Sequence, residues 1–76
     1  MVKKLSALKI GEKAIIADID SSHIKSRLLE MGLVEGVEIK KIMTAPLGDP
    51  SAYQLNGYTL SLRKKEAELV SIQPVK

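Results

Sequence analysis

His23 is the only imidazole in this chain of 76 residues, and the chain contains no cysteine. Any acid–base, nucleophilic or metal chemistry near neutral pH must therefore centre on His23 or on carboxylates alone. Asp18, Asp20, Ser21 and Ser22 immediately precede it. A Ser-His-Asp relay is excluded, because residues this close in sequence cannot converge as a triad without a dedicated scaffold. One imidazole and two carboxylates can hold a transition-metal ion weakly, with waters completing its shell. Asp18, Asp20 and His23 are thus the candidate metal group. The simpler use of the same acids and hydroxyls is to cap the start of a helix. Glu12, Glu30, Glu35, Glu38, Glu66 and Glu68 are scattered and form no catalytic pair. No glycine-rich loop ends in Lys-Ser or Lys-Thr, so no phosphate loop is present. These residues point away from an enzyme and away from a resident cofactor.

The elements that would carry such residues must form one small domain, read as residues 1–76. Hydrophobic residues make up 45% of the chain, but the only aromatics are Tyr53 and Tyr58. The core must then be aliphatic, without the disulfides that many small secreted domains need. A reducing, cytoplasmic setting is expected. Leu5-Ser6-Ala7-Leu8 is broken by Lys9, too early for a secretory h-region. The apolar run Ala14–Ala17 is far below the ~18 residues that suggest a membrane span. The net charge is +3. That small surplus and the scarcity of stacking platforms argue against nucleic acid as a partner.

Along the chain, Ala14–Ile19 alternates at period 2 and reads as a strand, with Ile15, Ala17 and Ile19 on one face. Asp20-Ser21-Ser22 ends it. Ile24, Leu28 and Met31 then fall at helical spacing, predicting an amphipathic helix over residues 22–31. Gly32 supplies a left-handed stop, and Leu33 can fold back on Leu28 as in a Schellman motif. A second strand runs from Val37 to Thr44. Its phase breaks at Lys40-Lys41, which predicts a β-bulge returning Ile42 to the inner face. After the loop at residues 45–50, Asn56-Gly57 lies between two alternating runs and predicts a type I′ hairpin. In that register Leu55 faces Tyr58 and Tyr53 faces Leu60. Arg63–Ala67 reads as one helical turn with Arg63 and Glu66 at i,i+3 spacing. Leu69–Gln73 reads as the closing strand. About five short strands and one inserted short helix predict a mainly β fold, a small bent antiparallel barrel.

A small domain without catalytic groups works by contact. Arg27 on the polar side of the helix, Met31 and Leu33 at its end, Tyr58 beside the hairpin and Arg63 are the candidate contact residues. Met and Tyr suit such a surface, one being adaptable and the other amphipathic.

Arg27-Leu28-Leu29-Glu30-Met31-Gly32-Leu33 resembles the ferrous iron transport protein A (FeoA) family. The resemblance strengthens at Ala45-Pro46-Leu47-Gly48-Asp49-Pro50 and at Gly57-Tyr58-Thr59-Leu60-Ser61-Leu62-Arg63-Lys64-Lys65-Glu66-Ala67. It also resembles the C-terminal barrel of diphtheria-toxin-type iron-dependent repressors. The resemblance implies an SH3-like barrel with an inserted helix. It further implies a cytoplasmic accessory protein of bacterial ferrous iron uptake. The partner would be the cytoplasmic, GTP-binding part of a FeoB-type transporter, reached at the inner face of the membrane without insertion. Two other functions compete with it. One is a metal-responsive regulatory barrel binding Fe(II) through Asp18, Asp20 and His23; the other is a small basic barrel binding nucleic acid.

Overall fold

The computed structural model describes residues 3–75. Six strands form one antiparallel sheet in the order β1-β6-β2-β3-β4-β5. They are β1 (Lys3–Lys4), β2 (Lys13–Ile19), β3 (Glu38–Thr44), β4 (Ser51–Leu55), β5 (Tyr58–Leu62) and β6 (Val70–Pro74). A 3-10 turn at Leu5–Ala7 follows β1, α1 (Lys25–Glu30) joins β2 to β3, and α2 (Lys64–Ala67) joins β5 to β6. The fold is mainly β, as the alternation implied, with β1 added to the expected strands. Two lysines carry no alternation, so β1 is recognisable only by its pairing with Ser71 and Ile72 of β6.

Two bulges let this sheet wrap around one core. The first was not expected. In β2, Ile16 pairs with Ile72 and Asp18 with Ser71, leaving Ala17 as the extra residue. The face therefore switches, and Ala14, Ile16 and Ile19 are buried in place of Ile15, Ala17 and Ile19. The broken phase of β3 predicts a bulge at Lys40-Lys41 that returns Ile42 to the inner face; the second bulge falls one residue later. Lys41 pairs with Tyr53 and Met43 with Ala52, so Ile42 is the extra residue. Ile39 is fully buried there, while Ile42 is half-buried.

The hairpin holds its expected register, with Leu55 opposite Tyr58 and Tyr53 opposite Leu60. Asn56 and Gly57 have φ of 49° and 80°, the two positive values that a type I′ turn requires. Tyr53, Leu55, Leu60 and Leu62 consequently face inward and are buried. They meet Leu5, Leu8, Leu28, Leu33, Val70 and Ile72 in a single cluster. The core is aliphatic apart from Tyr53.

α1 is shorter than its apolar stripe suggested. The Ser22 hydroxyl accepts the Ile24 N–H at 3.1 Å, and the Ser22 carbonyl accepts from Lys25 at 3.2 Å. Ser22 thus closes a turn before the helix and does not cap the helix itself. The spacing of Ile24, Leu28 and Met31 is kept, but regular helix begins only at Lys25.

Candidate interaction surface

The acids nearest the single histidine do not converge on a metal site. Asp18 is exposed, and its Oδ1 accepts the Ile19 N–H at 2.9 Å. Asp20 is paired with Lys4, Oδ2 to Nζ at 3.1 Å. His23 is exposed in the turn that follows. Among the described residues no group of three or more His, Asp or Glu side chains is placed to hold a metal ion. Asp18 is engaged by the Ile19 backbone and Asp20 by Lys4, so closeness in sequence yields no metal-holding group here.

The end of α1 is built as the sequence implied. Gly32, with φ of +99°, donates to the Leu29 carbonyl at 3.0 Å, and Leu33 donates to the Leu28 carbonyl at 3.1 Å. Those two bonds are the Schellman pair, and they carry Leu33 into the core beside Leu28. Both leucines are fully buried. Leu33 is therefore a packing residue and not a contact residue, the motif that ends the helix being what hides it. Met31 is half-buried and packs against the same core.

What reaches solvent around Gly32 is a different set. Leu29 is 41% exposed, Val34 45% and Tyr58 41%. Tyr58 lies across the helix end, its hydroxyl so close to Gly32 that a Cβ there would overlap it. Leu29 and Val34 flank Gly32 in the chain, and Tyr58 covers it with the Asn56 amide beside the ring; Leu29, Val34 and Tyr58 are the exposed rim of this helix end. Leu29 and Val34 were not singled out from the sequence. The available signal was a leucine off the Ile24–Leu28–Met31 stripe and a valine beyond the helix stop.

The two arginines named from the sequence converge on one carboxylate. Glu66 Oε2 accepts from the Arg27 guanidinium, linking α1 to α2. Glu66 Oε1 accepts the Arg63 N–H at 2.8 Å, which supports the first turn of α2. The expected Arg63–Glu66 pairing is thus a bond to the Arg63 backbone, and the Arg63 side chain is exposed. The two bonds should be separable by mutation. Arg27 is 58% exposed and Glu66 19%, so Arg27→Ala is expected to cost under about 1 kcal/mol. Glu66→Ala also removes the helix-start bond and is expected to cost about 1–2 kcal/mol. Thermal unfolding of both variants checks the order, and an Arg27→Ala loss equal to or above that of Glu66→Ala contradicts it.

A family model described as the FeoA domain matches residues 3–74. The chain belongs to the FeoA family. The FeoA–FeoB fusion protein of Porphyromonas gingivalis, an Fe(2+) transport protein A joined to an Fe(2+) transporter, is 35% identical over 71 residues. Those residues are 92% of this chain but 8% of the fusion protein. The solution structure of a FeoA-like protein from Clostridium acetobutylicum is 36% identical, with a TM-score of 0.92 over 99% of this chain and 88% of that one. Stenotrophomonas maltophilia FeoA, a procaryotic SH3 domain protein solved with zinc, is 28% identical, with a TM-score of 0.81. It is covered over 89% of its length by 93% of this chain. The fold of this FeoA-family chain is accordingly SH3-like. The IdeR of T. acidophilum shares that fold at 18% identity and a TM-score of 0.84, over 34% of its length. The family to which the chain belongs is associated with ferrous iron transport. Among its described residues no helix is long and apolar enough to cross a membrane.

Proposed function

We propose that this chain is a non-enzymatic, cytoplasmic accessory module of ferrous iron uptake that binds the cytoplasmic GTP-binding part of a FeoB-type transporter. The observation that carries this reading is the Porphyromonas gingivalis fusion, in which a segment 35% identical to this chain shares one polypeptide with the transporter. Covalent linkage raises the effective concentration of two parts that act on one another. The contact surface is the rim of Leu29, Val34 and Tyr58, which is apolar and exposed and sits on a helix end fixed by the core beneath it. Exposed apolar and aromatic residues over a rigid base are what transient interfaces use.

The test is retention of the isolated cytoplasmic part of the transporter on immobilised wild-type protein, against Leu29→Glu and Tyr58→Asp. Each substitution adds a charge at an exposed position and is expected to weaken binding by roughly tenfold or more. If wild-type protein retains neither that part nor the whole transporter, the proposal fails. Binding that both charged variants leave intact assigns the contact to another surface and overturns the rim.

A further inference from the structure

A cleft of about 170 Å³ opens on a side of the molecule defined by other residues. Ser6 of the 3-10 turn, Lys41 of β3, Ser51 and Tyr53 of β4, and Lys64 at the start of α2 line it. Gly48 borders it without a side chain. Every polar side chain in that lining is a hydrogen-bond donor, namely two ammonium groups and three hydroxyls.

Lys41 is the informative member. It is half-buried and lines the cleft together with Lys64. Three basic side chains outside the cleft are paired with acids. Lys4 has Asp20, Lys13 has Glu38 and Arg27 has Glu66. Among the described residues neither Lys41 nor Lys64 has a carboxylate partner. Asp49 is the nearby acid, and its Oδ1 is taken up by the Lys64 backbone N–H at 2.9 Å. Its charge acts on Tyr53 and offsets part of the positive field, leaving the pair of lysines in excess.

The hydroxyls add direction to that charge. Ser51 is 8% exposed, and its Oγ lies 3.2 Å from Thr44 Oγ1. Tyr53 is buried to 1% yet lines the cleft. Burial pushes the pKa of its phenol up; the Ser51 hydroxyl beside it works against that rise and the Asp49 charge adds to it. The phenol therefore stays protonated and remains a donor at neutral pH.

We infer that this cleft is a binding site for a small phosphate-type oxyanion, held between the ammonium groups of Lys41 and Lys64 with Ser6, Ser51 and Tyr53 hydroxyls as further donors. A dianion matches the two lysines in charge, and its several oxygens match donors arriving from separate elements. The same chemistry admits free phosphate or the terminal group of a phosphate monoester. The inference does not depend on the transporter contact, because the cleft and the Gly32 rim share no residue.

Amide chemical-shift titration of the whole protein distinguishes the sources. Inorganic phosphate and glycerol 3-phosphate are the two probes, each at constant ionic strength against a chloride control. The expected result is saturable shifts at Ser6, Ser51 and Lys64, with a Kd on the order of 1 mM, for inorganic phosphate or for both. Shifts with the monoester alone assign the site to phosphate esters and also support it. Lys64→Gln, at an exposed position, and Lys41→Gln should each weaken binding roughly tenfold. Lys25→Gln, outside the cleft, should leave it unchanged. Shifts that never saturate with either probe, that chloride reproduces, or that Lys25→Gln weakens equally overturn the inference. Should Lys41→Gln lose its amide dispersion, Lys64→Gln alone decides.

Discussion

Tyr53→Ala is expected to lower the unfolding free energy by about 3–5 kcal/mol, the range for removing a large aromatic side chain from a packed core. Tyr53 is the largest of the fully buried side chains and the one ring in an otherwise aliphatic cluster. Typical stabilities per residue imply on the order of 4–11 kcal/mol for a domain of this length. The loss is therefore a large part of the total, and no other aromatic is placed to fill the space. Tyr53→Phe is the comparison, since it keeps the ring and removes only the hydroxyl at the cleft. Its expected loss is within about 1.5 kcal/mol. Urea unfolding followed by circular dichroism reads both. Equal midpoints for the two variants would show that the ring's burial is not what holds the core.

Gly32→Ala is expected to destabilise by two routes that can be pulled apart. The left-handed backbone at position 32 costs a non-glycine residue about 1–2 kcal/mol. In addition, the new Cβ overlaps the Tyr58 hydroxyl, so the ring must swing off the helix end. In a domain of this size each 1 kcal/mol corresponds to a Tm shift of roughly 4–8 °C. The Gly32→Ala, Tyr58→Ala cycle isolates the second route. Without the ring only backbone strain remains, so Gly32→Ala should cost less in the Tyr58→Ala background. A coupling of about 0.5 kcal/mol or more is expected for residues in direct contact. Strict additivity would mean that Tyr58 does not rest on Gly32 in solution. The same cycle bears on function, because moving Tyr58 disturbs the rim while leaving Leu29 and Val34 in place.

The features that were legible before the structure are those whose cause is local. Asn56-Gly57 specifies its turn within two residues, and the alternation on either side has only one consistent register. Met31-Gly32-Leu33 carries its own stop signal. The β3 bulge showed because two adjacent lysines interrupt an otherwise alternating strand. The β2 bulge did not, because Ile15, Ile16 and Ala17 are all apolar and leave no phase to break. α1 began late because Ser22 satisfies the backbone of a turn as readily as that of a helix. β1 is specified wholly by its partner strand.

The site was less legible for the same reason. Asp18, Asp20 and His23 look like a group in the sequence, but only side-chain direction decides whether donors meet. Leu33 illustrates a conflict between two local readings. A hydrophobic residue just past a helix invites a surface role, yet the Schellman geometry requires it inside. Lys41 and Lys64 are unremarkable in a basic chain. They become a pair only because the folded chain sets both along one cleft, which no spacing along the sequence announces.

The sheet order has a consequence for how the molecule comes into being. β6 lies between β1 and β2, so the last strand made is the one that joins the first two. While the chain is being synthesised, β4 and β5 can close at once, because their turn is local. β1 has no partner, and one flank of β2 stays open, until Val70–Pro74 has emerged. Contacts of such long sequence separation form late and slowly. The domain is thus completed from its far end, and a ribosome that stalls before Val70 leaves a half-made sheet with its edges open to other chains.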